Sequence, residues 1–248
     1  MITLHTIVKN EDRFIKAALV SVLAVKDVGR ALVWDTGSID RTVQEILSIK
    51  DSRIEFAQKG NVSRKQLVLL RNEQLRMTKT PWILLVDGDE IWPENNLRKL
   101  VSAMSRGSGS GSAGKQCGLE TIALVNKTRN VVGDFYHYLP ESKGHYRIGS
   151  WTGHLNIRAI RNLPGLTVKG EYPNEWYELN AKKIQDQPEK LEFVDTWYLH
   201  LTHMRRSSSW FAESLTIDRL KKHKWLGKFR KENLFVMKES ELPKLSVS

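Results

Sequence analysis

Apolar residues along the first hundred positions recur with two alternating periods. ITLHTIV (residues 2–8) is an apolar run of strand length, and Phe14, Ile15, Ala18, Leu19, Val22 and Leu23 then follow at the spacing of one helical face. Residues 31–34 form a second apolar run ending at Asp35. Ile39, Val43, Ile46 and Leu47 return to helical spacing, with Ser38 placed as the N-cap. Residues 54–57 predict a third strand and residues 63–77 a weaker helix. WILLV (residues 82–86) predicts a fourth strand, and Leu97, Leu100, Val101 and Met104 a helix opened by Pro93. Strand and helix alternating in this way predict an α/β fold with a parallel, doubly wound sheet. Ligands in such sheets bind beyond the carboxyl ends of the strands, where Asp35 and the DGDE run at residues 87–90 stand.

After Met104 the pattern changes. SRGSGSGSAGKQ (residues 105–116) has the composition of a flexible linker, regular enough to read equally as a native loop or an engineered replacement. Residues 119–125, 131–138 and 155–160 predict strands without intervening helices, extending the sheet in mixed or antiparallel fashion. From Arg205 onward the chain is basic, studded with Trp210, Phe211, Leu215, Leu220, Trp225, Leu226 and Phe229, and predicted helical. The expected organisation is therefore a first half at 1–104, a linker at 105–117, a second half of the same domain at 118–204, and a basic amphipathic segment at 205–248. No internal repeat is visible.

Composition narrows the function. With 248 residues, 40% hydrophobic and 27% charged, the chain reads as globular rather than disordered. A formal charge of +11 predicts attraction to an anion: nucleic acid, a membrane surface or a phosphorylated small molecule. The lone Cys117 allows no internal disulfide, which fits a reducing compartment. Neither a signal-peptide run nor a stretch near the ~20 apolar residues of a membrane span is present. The expected location is the cytoplasm.

The chemistry concentrates where WILLV runs into Asp87, Gly88, Asp89 and Glu90. Carboxylates this close repel and raise one another's pKa, so a positive group is expected among them. Two aspartates around one glycine suit a hard divalent cation, which prefers oxygen ligands and shares them with substrate phosphates. The plain alternative is a solvated turn before a helix N-terminus. VWDTGSIDRT (residues 33–42) is a second strand end; Asp35 there suits a ribose or base edge, against the alternative of an ordinary strand-to-helix turn.

Four segments in order, VKNEDRFI (8–15), VWDTGSIDRT (33–42), LRNEQL (70–75) and WILLVDGDEIWP (82–93), resemble the nucleotide-binding half of a family 2 glycosyltransferase. The resemblance is dense over residues 2–100 and thinner beyond. It implies a GT-A (Rossmann-like) three-layer sandwich with a mixed, mainly parallel central sheet. It also implies an enzyme that moves a sugar from a nucleotide-diphosphate donor, with inversion at the anomeric carbon, to a glycan, lipid-linked or protein acceptor. Asp87 and Asp89 match the family's DXD motif, which implies that Asp89 binds Mn²⁺ or Mg²⁺ and that Asp87 holds the ribose or the metal. Asp35 matches a base- or ribose-binding aspartate, Thr6 to Val8 the strand end lining the nucleotide pocket, and Glu11 the acid beside it. Arg71 matches the family's Arg-Asn pair, a structural or diphosphate-facing cation; it or Lys59 would join the metal in stabilising the leaving diphosphate.

An inverting transfer needs a base for the acceptor hydroxyl. The resemblance points to GLTVKGEYPNEWYE (residues 165–178), with Glu175 favoured over Glu171 and Glu178; Asn174 stands where many relatives carry His. Its late histidine metal ligand falls on YLHLTHM (residues 198–204), at His203 or His200. On the acceptor side His154 is a candidate pocket residue, and Trp151 and Trp176 are candidate sugar platforms, although tryptophan more often packs in a core. Residues 205–231 read either as a helix lying on an anionic membrane, at the inner face, or as one packed on the domain with a solvated lysine face. The competing class is a non-catalytic protein on the same scaffold, binding a nucleotide, a glycan or a nucleic acid. The signatures of common RNA-binding modules are missing, so no nucleic acid is expected. A nucleotidyltransferase would share the metal and diphosphate logic.

Overall fold

The computed structural model describes residues 1–106, 120–140, 143–144, 146–215, 234–238 and 240. The first half alternates β1 (Ile2–Val8), α1 (Ile15–Leu23), β2 (Val28–Asp35), α2 (Thr42–Leu47), β3 (Ile54–Gln58), α3 (Arg64–Met77), β4 (Trp82–Leu85), β5 (Glu90–Ile91) and α4 (Glu94–Arg106). The second half is mostly strand: β6 (Ala123–Asn130), β7 (His137–Tyr138), β8 (Tyr146–Ile148), β9 (Trp151–Gly153), β10 (Leu155–Arg161), β11 (Leu166–Lys169), β12 (Trp176–Leu179), β13 (Lys182–Lys183) and β14 (Leu191–His200). The short α5 (Trp210–Ser214) and β15 (Phe235–Val236) follow.

Strands of both halves build one eight-stranded sheet in the order β3-β2-β1-β4-β10-β6-β14-β5. The pairs β3–β2, β2–β1, β1–β4 and β6–β14 are parallel, whereas β4–β10, β10–β6 and β14–β5 are antiparallel. The sheet is thus mixed and mainly parallel. Because β10 reverses twice, β6 and β14 run in the direction of β4, and all three end at the edge that carries Asp87.

Strand alternation sorts the core into two layers around this sheet. Leu84 faces α1 and α4 together with Leu4, Leu19, Leu97 and Leu100. Its neighbours Ile83 and Leu85 face the other way, against Val68 and Leu75 of α3 and Val168 and Leu179 of the small β11-β12-β13 sheet. The expected faces of α1 and α4 are buried as read. Ser63 opens α3 with a capping box, its hydroxyl accepting from Gln66 N–H while the Gln66 side chain accepts from Ser63 N–H.

Three expectations need correction. Ser38 does not cap α2: its N–H donates to Asp35, its hydroxyl accepts from Asn10 N–H, and the helix starts only at Thr42, leaving Ile39 and Leu47 about half exposed. The strand read at 119–125 lies at Ala123–Asn130. Residues 131–138 hold only the two-residue β7 and a single bridge from Val131, because a turn around Asp134 caps the amides of Tyr136 and His137. Residues 198–200, left open between helix and strand, end the ten-residue β14. Cys117, most of the 105–117 linker and residues 216–233 of the basic segment lie outside the described residues.

Candidate active site

The acidic turn sits just past β4, where parallel neighbours end together. Val8 C=O accepts from Thr36 N–H at 2.9 Å and Asp35 C=O from Lys59 N–H at 2.8 Å, tying the ends of β1, β2 and β3. Asp35 is 2% exposed, and its carboxylate accepts from the amides of Gly37 (3.0 Å) and Ser38 (3.1 Å). Gly37 has φ +83°, and a Cβ there would stand 3.0 Å from Asn61 N, so glycine is required twice over. Lys59 donates to Glu73 at 2.9 Å with its ammonium 3.9 Å from the centre of the Trp34 ring, forming a wall beyond β2. Thr6 is buried in β1, where its carbonyl accepts from Gln74.

Gly88 is explained by space, not by backbone angle. A Cβ there would come within 2.9 Å of Glu11 Cγ and 3.0 Å of Val8 Cγ2. The turn is thereby pressed against Glu11, and the acids of the two segments share one surrounding.

The positive groups that the acidic turn demands are, in the first instance, arginines. Arg158 donates through Nη2 to Asp87 Oδ2 at 2.9 Å and to Glu90 Oε1, and through Nε to the Tyr198 hydroxyl at 3.2 Å. Arg206 reaches Glu11 at 2.9 Å and Asp89 at 3.1 Å. Arg71 stands 4.0 Å from Asp87 and 3.2 Å from Glu175. Burial alone would push the Asp87 carboxyl up, but Arg158 and Arg71 outweigh it and hold it below the usual carboxylate range. Glu90 goes the other way: burial, with Asp87 and Asp89 beside it, outweighs Arg158 and pushes it up to about 8. The expectation of an ion as the counter-charge is therefore incomplete, since three guanidinium groups already face these carboxylates.

Arg158 and Arg206 were not singled out from the sequence. Arg158 lies in LNIRAIR at a register shift, where Ile157 pairs with Val125 and Ala159 with Leu124, leaving it as the extra residue of a β-bulge. A bulge of this kind re-aims a side chain, here onto Asp87. The available signal was an arginine inside an apolar strand. Arg206 is positioned by its own segment: Ser207 donates to Asp40 at 2.6 Å, Ser208 N–H to Asp12 at 2.7 Å, and Arg13 N–H to the Arg206 carbonyl at 3.2 Å. Tyr172 also belongs here; burial first, then the Asp87 charge, raises its phenol.

The remaining candidates divide. Glu175 joins the cluster through Arg71; its side chain is 13% exposed, and its Oε2 is buried without a hydrogen-bond partner among the described residues. Glu178 instead accepts from Thr167 (3.3 Å) and Trp176 Nε1 (3.4 Å), and Glu171 is exposed. His200 ends β14 with Nε2 3.6 Å from Asp89 Oδ2, whereas His203 lies three residues beyond, buried. Trp151 stacks on Phe193 at 5.7 Å and Trp176 faces the Lys183 ammonium at 4.3 Å. His154 lines a cavity of about 280 Å³ with Lys99, Lys127, Arg129 and Trp197, at the same edge of the sheet. The larger cavity, about 440 Å³, lies at the opposite edge beside Thr3, Arg30 and Thr80, away from the acids.

The donor set fits a divalent cation in an open site. Asp89 and His200 present a carboxylate oxygen and an imidazole nitrogen within reach of one ion, while Asp87, on the same turn, is engaged by Arg158. No cluster of three or more His, Cys, Asp or Glu able to hold a metal ion occurs among the described residues, so the further ligands would have to come from a diphosphate and water.

Residues 3–118 match the sequence profile of glycosyl transferase family 2. This segment belongs to that family. None of the curated proteins compared matches the chain. Among solved structures, S. aureus TarS 1-349 is similar at 14% identity and TM-score 0.52, covering 81% of this chain and 60% of that one. The same fragment in complex with UDP-GlcNAc is similar at 12% identity and TM-score 0.52, covering 93% and 68%. Glucosyl-3-phosphoglycerate synthase from Mycobacterium tuberculosis, with phosphoglyceric acid, is similar at 16% identity and TM-score 0.49, covering 81% and 72%. The chain thus spans 60% of the first of these, and the likeness to TarS shows a shared glycosyltransferase fold.

Proposed function

We propose that the protein is a divalent-metal-dependent, inverting glycosyltransferase that uses a nucleotide-diphosphate sugar. The observation that carries this reading is the juxtaposition of Asp87, Asp89 and Glu175 at one sheet edge, with Arg71 between the DXD turn and the glutamate. Asp35 and the strand end at Thr6 to Val8 would hold the nucleoside beyond β1 and β2. Asp89 and His200, with Asp87, would hold Mn²⁺ or Mg²⁺, which when bound stabilises the charge on a leaving diphosphate. Arg71 supplies a fixed positive charge at the same place without reorganisation.

In the displacement, the acceptor hydroxyl oxygen attacks the anomeric carbon as that carbon's bond to the diphosphate breaks. The hydroxyl proton passes to Glu175, and the bonding electron pair leaves with the nucleoside diphosphate. One displacement at one carbon inverts its configuration. Glu175 suits the role because Arg71 fixes Oε1 and leaves Oε2 buried and available to accept a proton.

The acceptor proposed is a glycan or lipid-linked saccharide. Support comes from α5, where Trp210 and Phe211 are 62% and 67% exposed beside Arg205, the arrangement expected of a contact with an anionic lipid surface. No helix of the described residues is long and apolar enough to cross a membrane.

Calorimetric titration of UDP, GDP, CDP and dTDP, each with and without Mn²⁺, tests the donor site. Metal-dependent binding of one nucleotide by the wild type, lost in Asp89→Asn, is the expected result. Equal binding by both proteins would overturn the role of Asp89. Nucleotide binding without any sugar transfer or donor hydrolysis would favour the non-catalytic reading.

A further inference from the structure

Sheet register sets Asn130, His200 and Glu90 side by side: His200 pairs with Asn130 of β6 on one flank and with Glu90 of β5 on the other. A chain of side-chain contacts runs through this row. His154 Nε2 lies 3.1 Å from the Pro140 carbonyl oxygen, and His154 Nδ1 lies 3.1 Å from Asn130 Nδ2. Asn130 Oδ1 lies 3.2 Å from His200 Nδ1, and His200 Nε2 lies 3.6 Å from Asp89 Oδ2.

The direction of every proton in this chain follows from its first member. A backbone carbonyl only accepts, so His154 must donate through Nε2, which makes Nδ1 of the neutral ring an acceptor. Asn130 must then turn its amide nitrogen to His154, which directs its carbonyl oxygen at His200. That oxygen requires a proton on His200 Nδ1, and in the neutral ring the Nε2 lone pair is then aimed at the Asp89 carboxylate. Two acceptors facing each other at 3.6 Å favour a cation beside both, a demand that Arg206, donating to the same Asp89 Oδ2 at 3.1 Å, meets only on the Asp89 side.

We infer that Asn130 is a positioning residue, which holds His200 in the Nδ1–H tautomer so that Nε2 and Asp89 together receive a divalent cation. The inference rests on the proposed metal-dependent reading and adds to it the origin of the ligand's orientation. Asn130 touches neither substrate nor reacting atoms in this role; it acts through His200. The Pro140 carbonyl anchors the whole chain, so the tautomer is set by the backbone rather than by solvent.

Two measurements on the full chain test it. The first needs no metal: long-range ¹H–¹⁵N correlation spectra of protein labelled with ¹⁵N-histidine report the tautomer of each ring among the seven histidines. His200 is expected as Nδ1–H and His154 as Nε2–H, and Asn130→Leu should release His200 to the Nε2–H form that free imidazole side chains prefer. The second is Mn²⁺ affinity, by electron paramagnetic resonance of the free ion. Asn130→Leu should weaken Mn²⁺ binding about 10- to 100-fold, the usual effect of removing such a partner. Asn130→Asp keeps an oxygen for His200 Nδ1–H and should stay within a few-fold of wild type, which separates loss of the acceptor from loss of fold. An Nε2–H tautomer at His200 in the wild type overturns the inference. So does Mn²⁺ affinity that is unchanged in Asn130→Leu, or that falls equally in Asn130→Asp. A wild type with the expected tautomers but no Mn²⁺ binding overturns the metal-dependent reading and, with it, the role of Asn130 towards the ion.

Discussion

Glu175→Gln is the most informative single change, because the structure predicts different effects on three properties. The glutamine keeps an oxygen for Arg71 Nε, which now donates to Glu175 Oε1 at 3.2 Å. Loss of the charge in this mostly buried pair should cost about 1–2 kcal/mol of folding stability, the range for a hydrogen bond that keeps its geometry. Donor affinity should hold, because Glu175 contacts neither Asp35 nor the β1 strand end. Turnover should fall about 10²–10⁴-fold, or roughly 3–5 kcal/mol in barrier height, the usual contribution of a general base. The assay uses water as acceptor and follows release of nucleoside diphosphate from the nucleotide sugar identified by calorimetry. Glu178→Gln and Glu171→Gln are the controls: the first glutamate is engaged by Thr167 and Trp176, the second is exposed. Both should stay within a few-fold of wild type. If Glu175→Gln retains half of wild-type turnover while either control collapses, the base lies elsewhere in the 165–178 segment and the argument from Arg71 is refuted.

Arg158→Met should destabilise the fold by about 1–3 kcal/mol in urea titrations, since it removes the donor that holds Asp87 ionised and leaves Glu90, pushed up to about 8 by burial, without its partner. Adding Glu90→Gln should recover part of that loss, and strict additivity of the two changes would show that the pair is not coupled. His5 carries a pH prediction. Its ring, bonded to Thr78 at 2.6 Å, is held neutral by burial and by Arg71, with its pKa lowered from 6.5 to about 3. Between those values the unfolded chain binds the extra proton, so stability should rise with pH by about 1.4 kcal/mol per unit and level off above 6.5. His5→Asn should remove that slope from the difference between pH 5 and pH 6.5. At α5, Trp210→Ser with Phe211→Ser should weaken binding to anionic vesicles, measured by co-sedimentation; unchanged binding would remove α5 from the interface.

What was legible in the sequence is local in the chain. The alternation of β1 to α4 depends on apolar periodicity and short turns, and both are written within about twenty residues of each element. The helix read over residues 63–77 is present as α3, whereas Ser38 resembled a cap and is not one, because Asp35 and Asn10 claim it first. The second half was read less well for a physical reason. Its strands pair with partners far away, as β10 does between β4 and β6, and their burial on both faces removes the clean alternation that marks a one-sided strand. The ten-residue β14 was missed on this account, and with it the placing of His200, its terminal residue, 3.6 Å from Asp89.

The same distinction explains why an ion was expected where arginines stand. Local reading of DGDE shows three carboxylates and no cation, so it assigns the counter-charge to a ligand. The fold brings Arg71 from α3, Arg158 from a bulge in β10 and Arg206 from beyond β14, each distant in sequence. These groups differ in what they leave available. Arg158 is committed to Asp87 and Glu90 from within the sheet, which places it among the supports of the turn. Arg206 comes from a short segment held to the domain by serine contacts to Asp12 and Asp40, and it meets Asp89, a carboxylate that also faces His200. A cation bound between Asp89 and His200 would therefore weaken the hold of Arg206 on Asp89, while Glu11 keeps its own contact with the guanidinium. The sheet fixes the shape of the acidic turn; the charge nearest the proposed ion site is supplied by the part of the site least embedded in the sheet.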